Sequence, residues 1–141
     1  MMMQDSEGAD LLRAYNAAMV AKSADALADL YCFDAVHEVP FAHTNAATVG
    51  REVIRERYRS AWAAAPVKVR GMHDTRLHRS DDGQTWIAEQ DLDLTNTDTG
   101  TEFIASMVLI FTLRDGRIAS MRDYTDNLTI ARALGRIPSI A

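Results

Sequence analysis

The chain has 141 residues, 20 acidic against 15 basic side chains, a formal charge of -5, 48% hydrophobic residues and one cysteine. This fits a single compact domain that buries about two-thirds of its unfolded surface without disulfide or structural metal. It argues against a nucleic-acid module, because the Lys and Arg form no basic stripe, and against disulfide scaffolds, Cys-rich zinc modules and CxxC redox centres.

Residues 1–8 are polar and acidic and read as a flexible N-terminal tail, leaving 9–141 as one domain. From Ala9 to Ala21 the residues Leu12, Tyr15, Met19 and Val20 recur at helical spacing. Ser23 is a half-formed cap for a short second helix over Asp25 to Tyr31. Ala35 to Phe41 reads as a strand that Pro40 limits. His43 to Thr48 is turn-like, and Gly50 opens a helix over Arg51 to Ala64 that Pro66 stops.

Beyond Val67 apolar and polar residues alternate, with breaks at Asp82-Gly83, Asn96 to Gly100 and Asp115-Gly116. Four strands follow, over Val67 to Arg79, Gln84 to Thr95, Glu102 to Leu113 and Arg117 to Thr125, joined as an antiparallel meander. Asp126 or Asn127 caps a last helix through Leu134, closed by Gly135 and Pro138. Helices first and a meander afterwards predict an α+β domain, with helices on one face of a curved sheet and a cone-shaped gap between them.

Two strands leave their facing open. On the second long strand, Trp86, Ala88, Gln90, Leu92 and Leu94 oppose Ile87, Glu89, Asp91 and Asp93. Periodicity favours the leucine row as core, whereas the reverse sends Glu89 and Asp91 into the gap. On the last strand Asp123 shares a row with Ala119, Met121 and Thr125. It is either an edge acid reaching water or a buried acid with the raised pKa that proton transfer near neutrality requires.

The histidines at positions 37, 43, 73 and 78 fit no paired metal-ligand spacing, so no metal is expected. In a regular strand His73 and His78 face opposite sides. Met72, Met107 and Met121 are gap-filling core or the wall of an adaptable ligand cavity. No serine elbow or phosphate loop is present. No stretch approaches the ~18 apolar residues of a membrane span, so neither membrane nor nucleic acid is an expected partner, and a cytoplasmic location is expected.

Three passages carry a family resemblance: Leu30 to Phe41 (LYCFDAVHEVPF), Gly50 to Arg55 (GREVIR) and Asp115 to Asp126 (DGRIASMRDYTD). On these the chain resembles the NTF2-like (cystatin-like) superfamily and its SnoaL-like branch of cone-shaped proteins, which includes polyketide cyclases, ketosteroid isomerase-like proteins and epoxide hydrolases. Tyr15, sixteen residues before Tyr31, is similar in position to the oxyanion tyrosine of ketosteroid isomerase. Val39 stands at that enzyme's base position, and its protonated acid falls near Leu109. The cyclases and epoxide hydrolases instead place an essential aspartate where this chain has Asp123.

The resemblance thus implies an inward Asp123, and it also implies Asp91 and Glu89 on the pocket face, with Glu38 nearby. The catalytic set expected is Asp123 and Asp91, with Tyr15 or His73 donating to the developing oxyanion, and Glu38, Glu89, Val39, Trp62, Met107 and Met121 contacting substrate. The expected chemistry is cofactor-independent acid–base catalysis of isomerase, aldol-cyclase or dehydratase (lyase) type on a small apolar carbonyl compound. A non-catalytic ligand-binding or dimeric interaction domain is the alternative, and epoxide hydrolysis is less favoured. If Trp86, Leu92 and Leu94 lie outside the core, a homodimer packed sheet to sheet is expected.

Overall fold

The computed structural model describes residues 2–42 and 47–137; His43 and Pro138, and most of the turn-like stretch, lie outside these. In chain order the elements are α1 (Met2–Ala21), α2 (Ala24–Ala28), β1 (Tyr31–Glu38), β2 (Thr48–Val49), α3 (Arg51–Ala64), β3 (Val67–Arg79), β4 (Thr85–Asn96), β5 (Glu102–Arg114), β6 (Arg117–Thr125) and α4 (Asn127–Ala133). The strands form one open sheet in the order β2-β1-β6-β5-β4-β3. The four long strands are antiparallel, as the meander predicts, while β1 runs parallel to β6. Helices on one face of a curved sheet make the α+β cone.

Local chemistry sets the ends of the elements. Ser23 accepts from the backbone of Ala26 at 3.0 Å and starts α2. Asp126 does the same for Thr129 at 3.0 Å and starts α4. The β5–β6 turn needs positive φ at both central residues, and Asp115 (54°) and Gly116 (77°) supply it.

Several boundaries differ from the sequence expectation. α1 reaches back to Met2, so most of the stretch read as a tail lies in its first turns. Its packing explains Gly8: a Cβ there would stand 2.2 Å from Nε1 of Trp86. Tyr31 begins β1 instead of ending α2, and Val20 points outward.

The inner face of the sheet is read directly from the register. Trp86, Phe111 and Met121 form one row across β4, β5 and β6; Ala88, Leu109 and Asp123 form the next; Gln90, Met107 and Thr125 form a third. All nine are buried. Leu11, Leu12, Tyr15, Ala18 and Met19 of α1 close over them. Periodicity therefore reads β4 correctly: the leucine row is core. Trp86, Leu92 and Leu94 are buried inside one chain, which removes the argument from them for a sheet-to-sheet homodimer.

Candidate functional site

Asp123 sits in the second inner row, opposite Leu109, with only 8% of its surface exposed. Its carboxylate accepts a hydrogen bond from the Thr125 hydroxyl. Burial pushes its pKa up to about 6, against the pull of the Thr125 side-chain and backbone hydrogen bonds. A carboxyl in this state changes charge near neutrality, as a proton-transfer group must.

Three tyrosines surround this acid. The hydroxyl of Tyr15 is buried and makes no hydrogen bond of good geometry among the described residues. Burial first, then the neighbouring Tyr31, Tyr58 and Asp123, raise its pKa well above the ordinary phenol value. Burial likewise raises Tyr31 and Tyr58, and the Asp123 carboxylate adds to both. All three phenols therefore keep their protons and remain donors.

Tyr31 and Tyr58 meet through His37. The Tyr31 hydroxyl lies 2.9 Å from Nδ1 and the Tyr58 hydroxyl 3.0 Å from Nε2 of the 2% exposed imidazole. Burial, and secondarily the Arg57 charge, lower the His37 pKa to about 4, so the ring is neutral and carries one N–H. It donates to one tyrosine and accepts from the other. The tyrosine that receives the imidazole proton still has its own O–H to offer elsewhere.

Beside this chain lies a cavity of about 140 Å³, lined by His37, Val39, Arg57, Tyr58 and Ala61. Met107 and Met121, expected to contact substrate, pack in the core and do not line this cavity. Val39 does line it. Trp62 packs its ring against Tyr58, with centroids 5.0 Å apart.

The other anticipated residues lie on the opposite face. Glu89, Val108 and Tyr124 form an outer row, as do Asp91 and Ser106. Glu38 pairs in register with the exposed Arg122 rather than with the inner Met121, which is His37's partner. Asp91, Glu89 and Glu38 therefore do not join Asp123, and burial rather than repulsion among carboxylates raises its pKa. Asp91 and Glu89 border a separate cleft of about 260 Å³ with Asp74, Arg76 and Met107.

His73 also faces outward and is held by Asp93 at 3.1 Å, a contact that raises its pKa. His78 pairs with Glu89 at 2.6 Å. A bulge between His73 and Arg76 puts both histidines on one face, where a regular strand would separate them. His73, Asp74 and Asp91 bring one ligand atom each within 4.8 Å, a grouping that spacing between histidines does not reveal.

Sequence reasoning counted Tyr31 and Tyr58 only as stripe residues and left His37 without a role. The signal was there: a phenol on a buried stripe needs a polar partner, and asking where each hydroxyl goes leads to His37.

The relatives agree with this architecture. The uncharacterized protein YesE of Bacillus subtilis is 28% identical over 138 residues, covering 96% of this chain and 92% of that protein. A crystal structure of a Bacillus subtilis protein provisionally named an isomerase is 26% identical with a TM-score of 0.84, covering 95% of this chain and 96% of that one. A provisionally named polyketide cyclase from Xanthomonas campestris pv. campestris, 18% identical, shares the fold with a TM-score of 0.73 over 93% and 98% of the two chains. Residues 12–121 match the SnoaL-like domain, and the chain belongs to that family within the NTF2-like superfamily.

Proposed function

We propose that the protein is a cofactor-independent acid–base enzyme that moves a proton to and from the carbon alpha to the carbonyl of a small, largely apolar compound. The observation that carries this reading is a buried carboxyl poised near pH 6 beside a buried Tyr15 hydroxyl that neighbours Tyr31 and Tyr58 but makes no hydrogen bond of good geometry among the described residues. An unpaired buried hydroxyl costs about 1–3 kcal/mol, which a substrate oxygen would relieve.

Asp123 as carboxylate takes the alpha proton, the C–H electron pair becomes the enolate, and Tyr15 donates to the enolate oxygen. The protonated Asp123 then returns its proton. Delivered to a different carbon, it completes an isomerisation; delivered to the alkoxide of a newly joined carbonyl, an aldol cyclisation; delivered to a departing hydroxyl, a dehydration. None of these proton transfers needs an electron acceptor. The isomerase name of the similar Bacillus subtilis structure supports this class of chemistry. Of the residues expected from the sequence, Asp123 and Tyr15 keep catalytic roles and Val39 a substrate contact.

A second reading, binding without turnover, is favoured by one feature: Asp123 does not itself line the cavity beside Tyr58. Deuterium exchange separates the two. Cyclohexanone and 4-oxocyclohexanecarboxylate in D2O, followed by NMR, are expected to exchange alpha protons faster with protein than with buffer, and Asp123→Asn is expected to lower that rate by about 100-fold or more. Exchange by the variant within a few-fold of the parent removes Asp123 as the base. No exchange above buffer by the parent supports binding alone.

A further inference from the structure

We propose that Arg57 makes the mouth of the cavity a carboxylate-binding subsite, so that the compound taken by the site carries a carboxylate on an apolar body; this deepens the acid–base reading above and rests on it. Four arginines lie on α3, and three of them meet acids. Arg51 pairs with Glu52, Arg55 with Asp25, Asp29 and Glu52, and Arg59 with Asp25 and Glu56, at 2.8–3.2 Å. Arg57 falls about 200° around the helix from Arg55 and from Arg59, away from that acidic cluster.

There its Nη1 donates to the neutral hydroxyl of Thr48 at 2.9 Å. Among the described residues it makes no ion pair. One end of the guanidinium is thus anchored on β2, while its Nε and Nη2 make no hydrogen bond among the described residues. A planar two-donor edge matches a carboxylate, and charge-assisted bonds of this kind are roughly twice as strong as neutral ones.

The surroundings favour an anion with an apolar body. Val39, Ala61 and the faces of His37 and Tyr58 complete the cavity lining. His37 is neutral and Tyr58 keeps its proton, so Arg57 supplies the one formal charge among the residues that line this cavity. Asp123 does not line it, so a carboxylate at Arg57 avoids that acid while the rest of the ligand lies against Tyr58.

The test is an NMR titration of the full chain at pH 7.5 with cyclohexanecarboxylate and, separately, its uncharged analogue cyclohexanecarboxamide. The carboxylate is expected to bind at least about tenfold more tightly, with the largest shifts at the Arg57 side chain and Tyr58. Arg57→Gln is expected to bring the two within about twofold, chiefly by weakening carboxylate binding, and Arg57→Lys, which keeps charge but not the fork, to fall between. Equal binding of the two probes by the parent overturns the proposal. So does a preference that survives Arg57→Gln, or no binding of either probe at about 20 mM. The comparison reads no turnover: a loss of the carboxylate preference leaves the Asp123 exchange result standing, and failed exchange leaves this one standing.

Discussion

The two faces of the sheet carry the same residue types in opposite states. Inside, Asp123 is pushed up to about 6 and His37 down to about 4, both chiefly by burial. Outside, Asp91, Asp93 and Glu89 stand partly in water beside His73 and His78, and the acids around His73 raise its pKa. A carboxylate or imidazole here takes its protonation behaviour from which side of a strand it occupies. Where solvent is near, histidines and carboxylates pair; where it is excluded, burial disfavours the charged form of each group.

Asp123→Asn offers the largest way to break that contrast. The Asp123 pKa rises from 3.8 in the unfolded chain to about 6, so the folded state holds the extra proton and stability falls as pH rises from about 4 through 6, by roughly 3 kcal/mol. His37 does the reverse. Its pKa falls from 6.5 to about 4, so stability is present above 6.5 and is lost as pH falls toward 4, again by roughly 3 kcal/mol. The two slopes nearly cancel in the parent. Urea melts of Asp123→Asn at pH 4, 5, 6 and 7 are expected to show stability rising with pH more steeply than in the parent, and a profile parallel to the parent's would remove the burial argument for Asp123.

His37→Leu comes next. It leaves the buried Tyr31 hydroxyl and the half-buried Tyr58 hydroxyl without their shared partner, for an expected loss of about 2 kcal/mol in the same melts. Tyr15→Phe moves stability the other way. Removing a hydroxyl that makes no hydrogen bond of good geometry is expected to stabilise by up to about 1 kcal/mol while lowering any alpha-proton exchange by about tenfold or more. A variant that loses stability instead shows that Tyr15 is already satisfied. The smallest effect belongs to the outer face: His78→Ala removes a hydrogen bond to Glu89 between side chains that are about half exposed, and a change under about 0.5 kcal/mol is expected.

Much of the fold was legible because it is written in local chemistry. The bounds of α3, β3 and β6, the Asp126 cap and the Asp115-Gly116 turn all follow from periodicity and punctuation. The parallel pairing of β1 with β6 was not, since it joins residues some 85 positions apart, such as Tyr31 and Ile118. Within the site, Asp123 was legible through the resemblance, but β4 was misread by that same route: placing Asp91 inward shifts the strand by one residue and turns every side chain over. Alternating leucines held the better information there. The bulge after His73 was also hidden, because Asp74 adopts a left-handed φ of 53°, a conformation aspartate tolerates without announcing it.

The most direct test is a carbon-13 NMR titration of the Asp123 side-chain carboxyl in the intact protein, assigned by its loss in Asp123→Asn. A midpoint about 6 is the predicted result. A midpoint near 4, alongside the exposed acids of the outer face, would contradict it, because Asp123 would then be an ordinary carboxylate with no proton to hold near neutrality.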